Sequence, residues 1–143
     1  MKKLSLIEKA FFFKKIKIFE EIDLDVLLAV SDKVTQDDYD KNEKIFECNQ
    51  KGSKLYLIAI GKVSIFDINN NFIENLEEND FLGLESIFNY NERAYTAVCI
   101  KDSLIISLAR HHLLTIISEY PEVAISILKL FSKQAKYIKK KNV

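Results

Sequence analysis

At 143 residues, with 48% apolar and 29% charged side chains, three glycines and one proline, the chain has the makeup of a folded domain rather than a disordered tail. Its formal net charge is zero, but residues 1 to 20 carry six Lys against two Glu and residues 129 to 143 carry six Lys against none; setting these aside leaves nine basic and nineteen acidic residues between them. The acidic middle excludes a nucleic-acid grip based on overall charge, and an anionic ligand would need a local positive pocket.

The first 33 residues predict helices. "LSLIEKAFFFKKI" and "DLDVLLAVSDKV" place apolar residues at helical spacing, with Asp23 or Asp25 as the cap of the second helix and "KIFEEID" as a short connection. Lysines interrupt the apolar residues of the first segment, unlike the core of a secretory signal, and no run reaches the roughly 18 residues of a membrane span. A cytoplasmic protein with no membrane span is expected.

Residues 34 to 109 change character. Short runs with near-alternating polarity ("KIFEC", "KLYLIAI", "KVSIFDI", "FIENL", "YTAVCI", "LIISLA") predict strands. They are separated by "DYDKNE", "NQKGSK", "GK", "DINNN", "EEND" and "IKDS", where Asn, Asp and Gly supply local side-chain bonds or positive φ. Strands this short and this regularly spaced suggest a sandwich, barrel or roll. Cys48 and Cys99 are far apart, with no Cys or His at metal-binding spacing, and read as buried free thiols.

Helices return over residues 110 to 143. "RHHLLTIISEY" is short and amphipathic; Pro121 then starts a helix whose Ala124, Ile127, Leu128, Phe131, Ala135 and Ile138 form one stripe. Part of this stripe would cap the strands, leaving Phe131, Ala135 and Ile138 for a separate effector or a second copy of the chain. The lysines near the end read as solvated. The whole is expected to be one domain, 1 to 143, with no room for a DNA-reading helix-turn-helix and no direct DNA binding.

Two stretches carry a resemblance. "KGSKLYLIAIGKVSIF" resembles a signature of the cyclic nucleotide-binding domains through Gly52, Tyr56, Ile58, Gly61 and Val63. "NDFLGLESIFNYNERAYT" is similar to the phosphate-binding cassette of that family, with Gly83 and Arg93 nine residues apart, Asp80 ahead and Thr96 behind. Catabolite activator protein, kinase regulatory subunits and gated channels contain such domains, and the N-terminal segment looks like versions that occur alone or attached to bacterial translocase-like and HEAT-repeat proteins. The resemblance implies a mainly β fold with flanking α: a β-roll, or jelly-roll-like double-stranded β-helix, with N-terminal helices and two C-terminal helices.

It also implies a function in signal transduction, without catalysis or a cofactor. The candidate ligand is cAMP, cGMP or another small anion, and its site comprises Gly83, Leu84, Glu85, Ser86, Arg93, Ala94, Tyr95 and Thr96. In that site the guanidinium of Arg93 and the N–H groups around Gly83 to Ser86 would receive a phosphate. Occupancy would reposition the C-terminal helix.

Three residues depart from the pattern. Leu84 stands where the family has a glutamate for the ribose hydroxyl, and Glu85 follows one residue late. Glu92 replaces a proline beside Arg93, and Tyr95 replaces a small alanine, where it would either fill the pocket or stack on a base. A pocket plugged by Leu84 and Tyr95 would instead make the domain a protein-interaction or oligomerisation module. A metal-binding cupin is disfavoured: His111 and His112 are adjacent on a helix and cannot converge on one ion.

Overall fold

A computed structural model describes residues 2 to 89 and 92 to 135, with the side chains of 134 and 135 left out. Helix α1 (Leu6–Phe13) begins at a capping box in which the Ser5 hydroxyl accepts the Glu8 N–H and the Glu8 carboxylate accepts the Ser5 N–H. Helix α2 (Leu24–Ser31) follows. Asp23 is its N-cap residue by position, but its side chain makes no capping bond, and the first turn is supported by the acidic Asp25 instead.

Eight strands follow: β1 (Thr35–Tyr39), β2 (Lys44–Phe46), β3 (Lys54–Ile60), β4 (Val63–Phe66), β5 (Phe72–Leu76), β6 (Phe81–Leu82), β7 (Thr96–Cys99) and β8 (Ser103–Ala109). The short helix α3 (Leu84–Asn89) separates β6 from β7, and α4 (Arg110–Glu119) and α5 (Pro121–Ala135) close the described chain. The strands form two antiparallel four-stranded sheets, ordered β1-β8-β3-β6 and β2-β7-β4-β5. This is the expected β-roll with flanking helices.

The pattern of burial explains the run "SLIISLA". The sheet holding β8 is covered on both faces, which permits a continuous apolar strand. Leu55, Leu57, Ile106 and Leu108 face the helices, where they meet Phe13, Ile16, Phe19 and Leu27. Ile58 and Ile105 face the other way, into the core between the sheets, with Val63, Ile65, Ala97 and Cys99. Successive side chains of β3 alternate between these two cores, as a strand's period of two requires.

Two strands escaped the sequence reading. In β1, "TQDDY", every residue is exposed or half-buried, so it carries no hydrophobic alternation and is held through its ladder with β8. β6 is two residues long. The turns were more legible: Asn42, Asn49, Asn70 and Asn79 all have positive φ, one in each of four predicted connections. Cys99 is buried and free as expected, whereas Cys48 is half-buried.

Candidate functional site

The site forms where β3, β6, α3 and the segment leading into β7 meet. Arg93 precedes β7 and is fixed by its own backbone: its N–H donates to Gln50 O and its carbonyl accepts from Asn49 N–H, both at 2.7 Å. Lys51 and Glu92 form a neighbouring antiparallel backbone bridge. The loop between β2 and β3 therefore sets where the arginine starts, and Glu92 points its side chain into solvent.

From there the guanidinium turns inward and is only 2% exposed. Nη1 donates to the Ser86 hydroxyl, and Nη2 donates to Lys54 O at 3.1 Å. Its Cζ lies 4.2 Å from the centre of the Phe46 ring and 5.7 Å from that of Tyr56, within range of cation–π attraction. Nε has no hydrogen-bond partner among the described residues.

Two glycines make this placement possible. A Cβ at Gly52 would lie 2.2 Å from Arg93 Nε, and one at Gly83 would lie 2.7 Å from both Arg93 Nη1 and Lys54 O. Gly83 also has φ +87°, a conformation that side chains resist. Gly52 is thus more than the turn residue its sequence context suggests; it is the seat of the guanidinium.

Two of the N–H groups, those of Gly83 and Ser86, are also committed. Gly83 N–H donates to the Tyr95 hydroxyl at 3.2 Å. Ser86 N–H and Oγ both donate to Gly83 O, at 3.3 and 2.9 Å. Gly83, Ser86 and Arg93 do come together, but they bind one another.

Tyr95 closes the outer side. It stands in the bend before β7 rather than in a strand, yet still reaches the arginine's neighbourhood, with its ring 5.2 Å from Phe46. Burial raises its hydroxyl pKa well above the ordinary phenol range, assisted by the charge and hydrogen bond of Glu85. Its hydroxyl oxygen accepts from Gly83, with the Glu85 carboxylate nearby.

The remaining cassette residues separate. Leu84 is buried in the helix-facing core with Ile87. Glu85 is exposed. Ala94 is exposed, and Thr96 turns toward β2, where its hydroxyl accepts the Cys48 N–H at 2.9 Å. Phe46 and the Lys54 carbonyl belong to the arginine's environment and were not singled out from the sequence; Gly52, also part of it, was named there only within the signature that ends at Val63.

Beyond Tyr95 lies a cavity of about 410 Å³. Ile65, Ile73 and Leu76 of the second sheet form one wall, Phe81 to Glu85 and Tyr95 another, and Leu130 and Phe131 of α5 a third. A second cavity of about 440 Å³ lies between α3, α4 and α5, sharing Glu85 and Phe131 with the first. Over this side α5 shows Leu128 and Phe131 of the predicted stripe with 65% and 37% exposure, and Ile125, which lines neither cavity, is 53% exposed. Ala135 and Ile138, also expected on that stripe, fall outside the described side chains.

His111 and His112 begin α4 with ring centres 4.0 Å apart, and burial and the neighbouring His111 lower the His112 pKa. No helix among the described residues is long and apolar enough to cross a membrane.

The family model for the cyclic nucleotide-binding domain matches residues 36–120, and the chain belongs to that family. A CRP-like cAMP-activated global transcriptional regulator of Mycobacterium tuberculosis is 25% identical over 121 residues, spanning 82% of this chain and 54% of that protein. The chain thus spans about half the length of the curated relatives it matches. Among solved structures, catabolite activator protein of Thermus thermophilus superposes with TM-score 0.78 at 22% identity, covering 87% of this chain and 61% of that one. The regulatory subunit of a cAMP-independent protein kinase A from Trypanosoma brucei gives 0.77 at 21% identity, covering 96% and 51%.

Proposed function

We propose that this chain is a non-catalytic sensing module in which a small ligand occupies the cavity between the cassette and α5, and α5 passes its presence to a separate protein. The cassette arginine acts here as a pillar of the fold and not as an anion receptor. One observation carries this reading: Arg93 is buried with both Nη groups bonded inside the protein and its guanidinium against the Phe46 ring. A cyclic phosphate could pair with it only by displacing its bonds to Ser86 and Lys54 O.

The cavity is bounded on one side by Leu130 and Phe131, so a bound molecule would touch the helix directly. A ligand shifts such a helix only to the extent that it binds one of its positions better. The regulatory subunit of a protein kinase A described as cAMP-independent shares this fold, which supports a ligand other than cAMP here. The exposed Leu128 and Phe131 favour α5 as the surface that meets the effector.

The test is a methyl and aromatic NMR titration with 2-naphthalenemethanol, an uncharged bicyclic probe. Resonances of Ile73 and Leu76 should shift together with those of Phe131 and, farther along α5, Ile125. If Ile73 and Leu76 do not respond up to the probe's solubility limit, the cavity is not a ligand site. The protein-interaction reading, supported by the buried Leu84 and the closed arginine, would then take its place.

A further inference from the structure

The polar groups that line the cavity share one character. Glu74 of β5 and Glu85 of α3 contribute carboxylates, and no Lys or Arg among the described residues lines it. Tyr95 is the other polar side chain, and it is neutral, with its hydroxyl oxygen already accepting the Gly83 N–H. The Gly83 carbonyl is taken by Ser86. The site therefore offers hydrogen-bond acceptors at its edge and apolar surface elsewhere.

The apolar surface is itself partly aromatic. Phe81, Tyr95 and Phe131 face a space that is otherwise bounded by Ile and Leu side chains. Its volume, about 410 Å³, falls in the range of small-molecule sites. A flat ring system matches such walls, because aromatic faces and edges attract one another beyond the area they bury. A negative substituent would meet two carboxylates; an ammonium or a hydroxyl would find an acceptor.

We infer that this cavity selects a flat aromatic ligand without negative charge, whose amine or hydroxyl group is held by Glu74 or Glu85. The inference rests on the reading of the cavity as the sensing site. It reverses the charge preference that the cassette sequence suggests, because the one buried cation of the cassette is closed off while the carboxylates remain exposed.

Three probes of one shape test it: 2-naphthylmethylammonium, 2-naphthalenemethanol and 2-naphthoate, titrated by NMR at low and moderate salt. Exposed carboxylates act through water, so the cation should bind roughly fivefold tighter than the anion, with the gap narrowing as salt rises. Glu74→Gln combined with Glu85→Gln should level the series. Ile73→Trp, at an exposed wall position, should weaken all three.

Each alternative outcome is separate. Naphthoate binding as tightly as the cation, or a series unchanged by the Gln pair, would overturn the charge preference and leave the cavity as a ligand site. Failure of all three probes to bind would remove the cavity reading itself, and the inference with it. Undiminished binding to the Ile73→Trp protein would place the probes elsewhere and overturn both.

Discussion

The Tyr95 hydroxyl accepts the Gly83 N–H at 3.2 Å, so the tyrosine occupies a donor that the family resemblance assigns to a ligand. The same ring lies against Phe46, which in turn carries the Arg93 guanidinium. One side chain thereby bonds the glycine half of the cassette and packs on the ring that carries the arginine half.

Tyr95→Phe should keep the ring contact and lose the hydroxyl. The Gly83 N–H is then left without its partner, and the protein should lose about 1 kcal/mol in urea unfolding. An unchanged midpoint would mean that water replaces the hydroxyl at no cost.

Gly52→Ala tests the seat of the guanidinium. A methyl 2.2 Å from Arg93 Nε must displace it, and overpacking of this kind costs roughly 1–3 kcal/mol. In an Arg93→Ala background the same substitution should cost far less, because the space is vacant. A double-mutant cycle measures the difference, and additive effects would show that the two residues are not coupled.

Arg93→Lys should destabilise the fold by about 2 kcal/mol. One ammonium cannot replace two donors aimed at Ser86 and Lys54 O while also lying flat on Phe46. A lysine protein as stable as the parent would contradict the pillar role.

The tyrosines predict an alkaline loss of stability. Burial, with smaller contributions from Tyr56 and Asp37, pushes the Tyr39 hydroxyl up to about 12, and Tyr56 and Tyr95 shift in the same direction. Below pH 10 both folded and unfolded chains hold these protons. Above it the unfolded chain releases them first, so stability should fall between about pH 10 and 12. Tyr39→Phe should make that fall shallower, as read from urea midpoints across the range.

Much of the fold was legible because its elements alternate or repeat with a clear period. β3 and β5 coincide with the predicted runs "KLYLIAI" and "FIENL", and Pro121 begins α5. β1 was not legible, since an edge strand with exposed polar side chains is defined by its partner β8 rather than by a buried face.

The site was legible as a set of residues but not as a state. Gly83, Ser86 and Arg93 could be named from the resemblance to the family's cassette, and Leu84 and Tyr95 flagged as departures from it. What the resemblance could not convey was the inward turn of Arg93. That depends on Phe46 from β2, the Lys54 carbonyl from β3 and the empty space over Gly52, none of them adjacent to the cassette in sequence.

The most direct measurement is thermal unfolding of the chain with saturating cAMP and cGMP, alongside Arg93→Ala and Tyr95→Ala. A ligand at about 100 times its Kd would stabilise the native state by roughly 2.7 kcal/mol, a shift of a few degrees. With the cassette closed over Arg93, neither nucleotide should move the parent's midpoint. A shift of that size in the parent, absent from Arg93→Ala, would show that the arginine opens to receive a phosphate and would contradict its role as a pillar.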